Sequence, residues 1–174
     1  CWVGWFGLGF LGERTAAADT ILAGVSSVDI TPDYPVRLSG YGGRRTEHVG
    51  VAQRIFLQAL ALGTDAEGVA VLVTIDNCSV PATLRTEVMR RVRQAGVSLA
   101  DERFAIAFSH THCAPMLEGA LENLFGMDIP EEHRGRIRRY TEDVTGWMTE
   151  AVVKAVRAQE PSLVSLGFGR AGFA

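Results

Sequence analysis

The sequence is poor in cysteine and histidine, the residues that most often build metal sites and disulfide frameworks. It holds three cysteines and four histidines among 174 residues. No two cysteines form a C-x-x-C pair, which excludes a zinc site built from cysteine alone and a disulfide framework. Whether Cys78 and Cys113 pair in an exported protein is left open by the sequence.

The chain also lacks an excess of positive charge. Its formal net charge is −3 and its isoelectric point is about 5.8, and no basic patch or stripe points to nucleic acid. Arginine clusters in residues 90–94 and 134–139, but both clusters fall in helix-like patterns and indicate solvated helix faces. The composition therefore predicts no nucleic-acid partner.

The apolar run at the N-terminus, residues 1–12, is shorter than the roughly 20 residues that span a bilayer. Small residues follow it at 16–18, a pattern typical of the second half of a secretory signal peptide. We interpret residues 1–20 as a signal-peptide remnant, with an N-terminal anchor or upstream translation as alternatives. The protein is then expected to be secreted, periplasmic or at the cell surface. The start at Cys1 and the abrupt end favour a piece of a longer protein.

Strand and helix patterns alternate from residue 22 onward. Period-two and apolar runs predict strands, and apolar residues at helical spacing predict two helices. In chain order the predicted elements are a strand at 22–30, a hairpin of strands 55–63 and 69–76, a helix from about 82 to 95, a strand at 103–109, a helix at 130–159 and a strand at 162–169.

This order predicts an α/β fold with a mixed sheet and flanking helices. A strand–helix–strand crossover makes its strands parallel, so strands 69–76 and 103–109 should point the same way. A long irregular segment, residues 33–53, lies between the first two strands, and loops of this length are usually either functional or disordered.

Two of the four histidines lie in the stretch AFSHTHCAP, residues 107–115. They follow the strand 103–109, and Asp76 ends the neighbouring strand. Ligand sites of such sheets lie beyond the carboxyl ends of the strands. In an extended chain residues i and i+2 point to the same side, so His110 and His112 should face one pocket.

Two imidazoles aimed at one point suit zinc, which lowers the pKa of bound water and polarises a carbonyl. Asp76 could hold the far N–H of one imidazole. The alternative is a pair of polar loop histidines. A metallo-β-lactamase motif would have Asp where Ala114 stands, and an amidohydrolase barrel would carry the motif after its first strand, so both are disfavoured.

Several segments together resemble the N-terminal part of the neutral/alkaline ceramidase family, in the family's own order. The matching pieces are AGVSSVDITP (23–32), LSGYGG (38–43), QRIFLQALAL (53–62), VLVTIDNC (71–78), SHTHCAP (109–115) and GFGRAGFA (167–174). SHTHCAP is similar to the family signature S/T-H-T-H-S-G-P, with Cys113 and Ala114 replacing Ser and Gly. The resemblance extends over residues 22–174 and implies that they form the N-terminal part of a larger catalytic domain.

The resemblance implies a zinc amidase whose zinc-bound water cleaves N-acylsphingosine, a lipid-like substrate, into fatty acid and sphingosine. His110 would be a zinc ligand, and His112 a catalytic residue that orients water or substrate beside the metal. The family's other ligands, a second His, a Glu and a Tyr, should fall beyond Ala174, which would leave this piece inactive by itself. A lipid substrate also implies transient contact with a membrane surface.

Asp76, Gly40 and Tyr41 are expected around the metal or in the substrate pocket. Gly40 would serve a backbone conformation with positive φ or let the backbone approach the substrate closely. Tyr41 is alternatively a packed ring. Two further readings of the protein stay open: a catalytically inactive binding or surface domain, and a metal-dependent hydrolase of another ester or amide.

Three other polar residues are expected to have structural roles. Asp29, in the DITP motif, should bind backbone groups at the end of its strand. His48 and His133 should be surface residues. Cys113 should be a buried small side chain or, alternatively, a soft third metal ligand.

Overall fold

The structure is a computed structural model that describes residues 20–64, 68–165, 167–170 and 172. The expected signal-peptide remnant therefore lies, except for residue 20, outside the described residues. No helix in the described ranges is both long and apolar enough to cross a membrane.

In the described part of the chain, five strands form one mixed sheet in the order β4-β3-β2-β1-β5. Only β3 and β4 are parallel, and the other neighbours are antiparallel. The elements are β1 Ile21–Asp29, β2 Phe56–Thr64, β3 Gly68–Ile75, α1 Ala82–Gln94, a short 3₁₀ turn Asp101–Arg103, β4 Phe104–Phe108, α2 Glu131–Arg157 and β5 Glu160–Ser162. The predicted α/β class, the hairpin and the parallel pair are confirmed.

The last strand is much shorter than predicted. We expected it at 162–169, but β5 ends at Ser162, and the described residues that follow it are exposed. The register explains the difference, because Ser162 pairs with Ile21, the first residue of β1. The apolar residues after Ser162 therefore have no strand opposite them in the described part of the chain.

Both helices pack on one face of the sheet, which makes that face the core. Alternate residues of β3 are buried, as the period of a half-covered strand requires. Gly24 lets α2 approach β1 closely, since a Cβ at this position would stand 2.1 Å from the carbonyl oxygen of Ala155. The hydroxyl of Ser26 donates to the Ala151 carbonyl at 2.9 Å, which ties the same two elements together.

α1 ends where the sequence predicts. Gly96 adopts a φ of 83°, and its N–H donates to the Arg93 carbonyl at 3.0 Å. A left-handed glycine just past the last turn is a common way to end a helix. The crossover from β3 through α1 to β4 then returns the chain to the sheet, so both strands end at the same edge.

The segment 33–53 is irregular but tied to the rest of the fold. Asp29 binds the backbone N–H of Thr31 at 2.9 Å, which confirms its structural role. His48 and His133 are half-buried rather than on the surface. His48 pairs with Val36 through its backbone and its ring, and His133 contacts the guanidinium of Arg37 at 3.2 Å. Both histidines are therefore used to anchor the segment.

Candidate metal centre

The segments that follow β3 and β4 meet at one edge of the sheet. Ser109 continues the parallel pairing, since its N–H donates to the Ile75 carbonyl at 3.0 Å. Beyond it, the buried amide of Asn77 donates to the Pro115 carbonyl at 3.1 Å. These two hydrogen bonds hold the histidine loop, residues 109–115, against the end of β3.

The two imidazoles of this loop come together. Their ring centres are 5.1 Å apart, and the rings stand at 72° to each other. Two imidazoles that bind one tetrahedral zinc through nitrogens at about 2.0–2.1 Å hold their ring centres about 5 Å apart. The side chains of His110 and His112 therefore fit a shared metal ion.

The backbone reason for this convergence differs from the one we predicted. The loop is not extended, because His110 adopts a φ of 57°, in the left-handed region. Non-glycine residues with positive φ are uncommon and concentrate at functional sites. The turn, rather than the alternation of a strand, brings the ring of His110 toward that of His112.

A backbone carbonyl orients the ring of His110. Nδ1 lies 2.7 Å from the carbonyl oxygen of Cys78. A carbonyl only accepts, so Nδ1 is the protonated nitrogen and Nε2 keeps its lone pair. His110 is thus set up to offer Nε2 to a metal, with the far N–H held as in many metal-binding histidines.

Asp76 does not make the contact that we expected of it. Its carboxylate accepts the backbone N–H of Phe56 at 3.0 Å, and the Cys78 carbonyl takes the predicted place beside His110. The physical reason is the turn after Ile75. Asp76 stays at the end of the strand ladder, where its side chain folds back onto β2.

A loop that contains the LSGYGG motif packs against His112. Gly40 has a φ of 98°, and a Cβ there would stand 2.3 Å from Cγ of His112. The ring of Tyr41 meets the imidazole edge-on, with ring centres 4.6 Å apart. Arg44 donates to the His112 carbonyl at 2.6 Å and lies over the Tyr41 ring at 4.9 Å.

The same two segments are also paired through their backbones. Ser39 donates to the Ala114 carbonyl at 3.1 Å, and Met116 donates to the Arg37 carbonyl at 2.8 Å. Leu38 and Pro115 form the isolated antiparallel bridge between them. The glycine loop and the histidine loop therefore form one unit, and Gly40 and Tyr41 lie beside the imidazoles.

Arg37 lies at the base of this unit. Its side chain is buried, lies 4.3 Å over the ring of Phe125 and donates to His133 and to the Arg45 carbonyl. Burial lowers the pKa of the Arg37 guanidinium below its usual value. These contacts tie the base of the loop to the segment before α2 and to α2 itself.

Sequence reasoning missed Cys78. Its side chain is 1% exposed, and its sulfur lies 3.9 Å from Nδ1 of His110. One nitrogen of each imidazole and this sulfur all lie within 4.8 Å of one another. The available signal was position, since Cys78 comes two residues after Asp76 at the carboxyl end of a strand.

Cys113 has a different environment from the one expected. It is exposed, whereas we predicted a buried side chain, and Cys78 is the cysteine that approaches the histidines. Both cysteines are free, so they form no disulfide with each other. In a turned loop, the side chain after His112 points outward instead of into the core.

A groove runs beside the histidine loop. Its volume is about 420 Å³. Thr111 and Cys113, which flank His112, form part of its wall together with Asp76. The apolar part of the lining includes Pro32, Leu38, Val51, Ala52, Ile55 and Pro115.

The chain was compared with models of known protein families. The profile of the neutral/alkaline non-lysosomal ceramidase N-terminal domain matches residues 21–170. The chain belongs to this ceramidase family. No curated protein matches the chain. Family membership confirms the resemblance that the sequence motifs indicated.

Solved ceramidase structures share the fold. The neutral ceramidase from Pseudomonas aeruginosa superimposes with a TM-score of 0.67 at 20% identity, over 82% of this chain and 22% of that one. A ceramidase complexed with C2 gives a TM-score of 0.65, again at 20% identity and with the same shares of the two chains. The chain thus spans about a fifth of the length of these ceramidase structures.

Proposed function

We propose that the full-length protein is a zinc-dependent amide hydrolase that cleaves N-acylsphingosine into fatty acid and sphingosine. In this proposal His110 is a zinc ligand and His112 a catalytic residue beside the metal. The observation that supports it most strongly is the pair of imidazoles 5.1 Å apart at the carboxyl edge of a ceramidase-family sheet.

The chemistry of His110 is compatible with zinc binding. His110 has a fixed tautomer, since the Cys78 carbonyl accepts from Nδ1 and leaves Nε2 free. Zinc, when bound, polarises the amide carbonyl and makes water acidic enough to react near neutral pH. The proposal assigns the remaining ligands to parts of the protein outside residues 20–172.

His112 has the position and the surroundings of a group that orients a reactant. Gly40 and Tyr41 both lie against its ring and restrict it. A ring held this firmly keeps its free nitrogen aimed at one place. We assign it the task of holding the amide or the attacking water by a hydrogen bond and of moving a proton between them.

The groove beside the histidine loop supports a lipid-like substrate. Its apolar residues offer a surface for a hydrocarbon chain beside the histidine loop, which contributes Thr111, Cys113 and Pro115 to the lining. The proposal includes brief contact with a membrane surface, from which such a substrate would be drawn. It also includes export, which rests on the apolar and small residues before residue 20.

The test uses the full-length protein and a fluorescent N-acylsphingosine. Release of the fatty acid is measured before and after treatment with a zinc chelator, and again after zinc is returned. The proposal predicts hydrolysis that the chelator abolishes and zinc restores. A matched ester, in which the same acyl chain is bonded to oxygen instead of nitrogen, distinguishes an amidase from a general esterase.

Two results would overturn the proposal. A folded protein that releases no fatty acid from N-acylsphingosine, but hydrolyses the ester, would be a hydrolase of another class. A folded protein that hydrolyses neither substrate with zinc present would be an inactive binding domain on the ceramidase fold.

A further inference from the structure

A short uncharged loop, residues 49–53, lies at the rim of the groove beside the histidine loop. Its sequence is VGVAQ, and all five residues are exposed. Val49 is fully exposed, and Val51 is 51% exposed. Single exposed apolar side chains are ordinary on protein surfaces, so the meaning of this valine loop depends on how it is held and what adjoins it.

Both ends of the valine loop are fixed to the fold. Before the loop, the His48 N–H donates to the Val36 carbonyl at 3.1 Å. After it, the Ile55 N–H donates to the hydroxyl of Thr31 at 2.9 Å. The fold therefore holds the loop at two points and leaves its apolar side chains facing outward between them.

We propose that the valine loop is the surface by which the full-length protein docks on a phospholipid bilayer. Val49 and Val51 would enter the boundary between the headgroups and the acyl chains, where apolar side chains are stabilised by burial. The inference rests on the proposed function for the lipid that enters the groove. It goes further in naming the part of the protein that meets the membrane.

The position of the loop beside the groove supports docking. Val51 and Ala52 line the groove on the side of the valine loop, and Thr111 and Cys113 line it on the side of the histidine loop. With the valine loop in the bilayer, a hydrocarbon chain would pass from the membrane onto the apolar lining without being exposed to water. The docked loop and the histidine loop would thus be two walls of one entry path.

The charge of the segment before the valine loop also favours a phospholipid surface. Arg45 is exposed, and Arg44 donates to the carbonyl of His112, which does not neutralise its charge. The one acidic residue within 41–53, Glu47, is bound by Arg136 of α2. The segment therefore carries local positive charge in a chain whose net charge is −3. Basic side chains close to a bilayer attract anionic headgroups.

The experiment measures how the full-length protein sediments with vesicles of equal parts phosphatidylcholine and phosphatidylglycerol, without substrate. Wild type and His110→Ala should bind alike, because docking needs no metal. Val49→Asp should lower the partition coefficient roughly tenfold or more, since it puts a charge where an apolar side chain is buried. Val49→Leu should retain binding. Thr86→Asp adds the same charge at an exposed position of α1 and should change binding little.

A second measurement links docking to hydrolysis. Val49→Asp should hydrolyse N-acylsphingosine embedded in vesicles at roughly a tenth of the wild-type rate, because less of the protein is on the membrane. It should hydrolyse a dissolved short-chain N-acylsphingosine at the wild-type rate. A merely structural role for Val49 would instead lower both rates together, which would contradict the docking surface.

The outcomes distinguish the docking surface from the proposed function. A wild type that hydrolyses the dissolved substrate but does not sediment with vesicles would overturn the docking surface and leave the amidase standing. Equal sedimentation of Val49→Asp and the wild type would do the same, and would assign the valine loop to a contact with protein. Vesicle binding that Val49→Asp abolishes, in a protein that hydrolyses no N-acylsphingosine, would support the docking surface and overturn the amidase.

Discussion

Gly40 is the residue on which the position of His112 depends most directly. It combines a φ of 98° with the closest approach to the imidazole, so any side chain there meets both backbone strain and a clash. Tyr41 also contacts the ring, with ring centres 4.6 Å apart. The smallest side chain that can be added should therefore displace the catalytic ring.

Gly40→Ala in the full-length protein should lower kcat/KM for N-acylsphingosine by roughly tenfold or more, since a small misplacement of a reacting group is costly. Gly43→Ala is the matched control, because a Cβ at Gly43 meets nothing within 4 Å. Steady-state kinetics of both variants check the prediction. Equal activity of Gly40→Ala and the wild type would show that His112 does not need its present position.

The side chain of Arg44 contacts the backbone of His112. Replacing it with methionine removes the hydrogen bond to the His112 carbonyl and the contact with the Tyr41 ring. We expect kcat to fall several-fold with little change in KM, because the reactant-orienting group moves while the substrate groove stays intact. Arg45→Met is the control, since Arg45 is exposed and enters the described hydrogen bonds through its carbonyl. A change in KM alone would point instead to a role in binding substrate.

At the scale of secondary structure, the site depends on how firmly the ends of β3 and β4 are joined. Asn77 is 1% exposed, and its amide links the turn after β3 to the Pro115 carbonyl. Its side-chain oxygen accepts the N–H of Ser79 at 3.3 Å. Loss of this side chain would leave buried polar groups without partners.

Asn77→Ala should therefore lower the free energy of unfolding by about 1–3 kcal/mol. Urea denaturation followed by circular dichroism measures the change. Asn123→Ala, at an exposed asparagine of the loop before α2, should leave the unfolding midpoint nearly unchanged. A similar small effect at both positions would mean that the Asn77 hydrogen bonds contribute nothing.

An ion pair joins the two helices. Arg91 of α1 donates to Glu142 of α2 at 2.7 and 3.0 Å. This hydrogen bond lowers the pKa of Glu142 below its usual 4.5. A carboxylate whose pKa is depressed in the folded state stabilises the fold above its usual pKa, and this contribution is lost as the pH falls through the folded value.

Glu142→Gln should lower the melting temperature by only about 1–3 °C at pH 7, because the pair is partly exposed. The difference from the wild type should shrink as the pH falls below 4.5. Scanning calorimetry across this range tests the sign. Glu150→Gln, an exposed glutamate on the same helix, is the control and should show no such pH-dependent difference.

The elements themselves were largely predictable from the sequence. Strand alternation and helical spacing gave β1 to β4 and both helices, because each of these has one face on the core. The end of β5 was not predictable, because it is set by the first residue of the neighbouring strand β1, Ile21, with which Ser162 pairs. Apolar residues after Ser162 have the composition of a strand but no partner for it in the described residues.

The candidate site was predictable only in part. The order of the strands brings His110 and His112 to the same edge as Asp76, and the motif indicates a metal. The contacts of single side chains depend on the backbone dihedral angles of the turns, and the spacing of residues in the sequence does not predict these angles. A positive φ at His110 puts the Cys78 carbonyl, not Asp76, against the ring.

At the scale of the whole molecule, the chain is one α/β unit that spans about a fifth of the solved ceramidase chains. Its sheet brings two imidazoles, a buried thiol and an apolar groove to a single edge. In the proposed enzyme this unit supplies His110 and His112, and other parts of the protein complete the metal site. Activity is therefore a property to measure on the full-length protein.

The most direct test of the central claim measures bound zinc and N-acylsphingosine hydrolysis together in the full-length protein and two variants. The account predicts one zinc per chain and hydrolysis in the wild type. Both should be lost in His110→Ala, whereas His112→Ala should keep its zinc and lose hydrolysis. A folded His110→Ala protein that retains zinc and full activity would contradict the account.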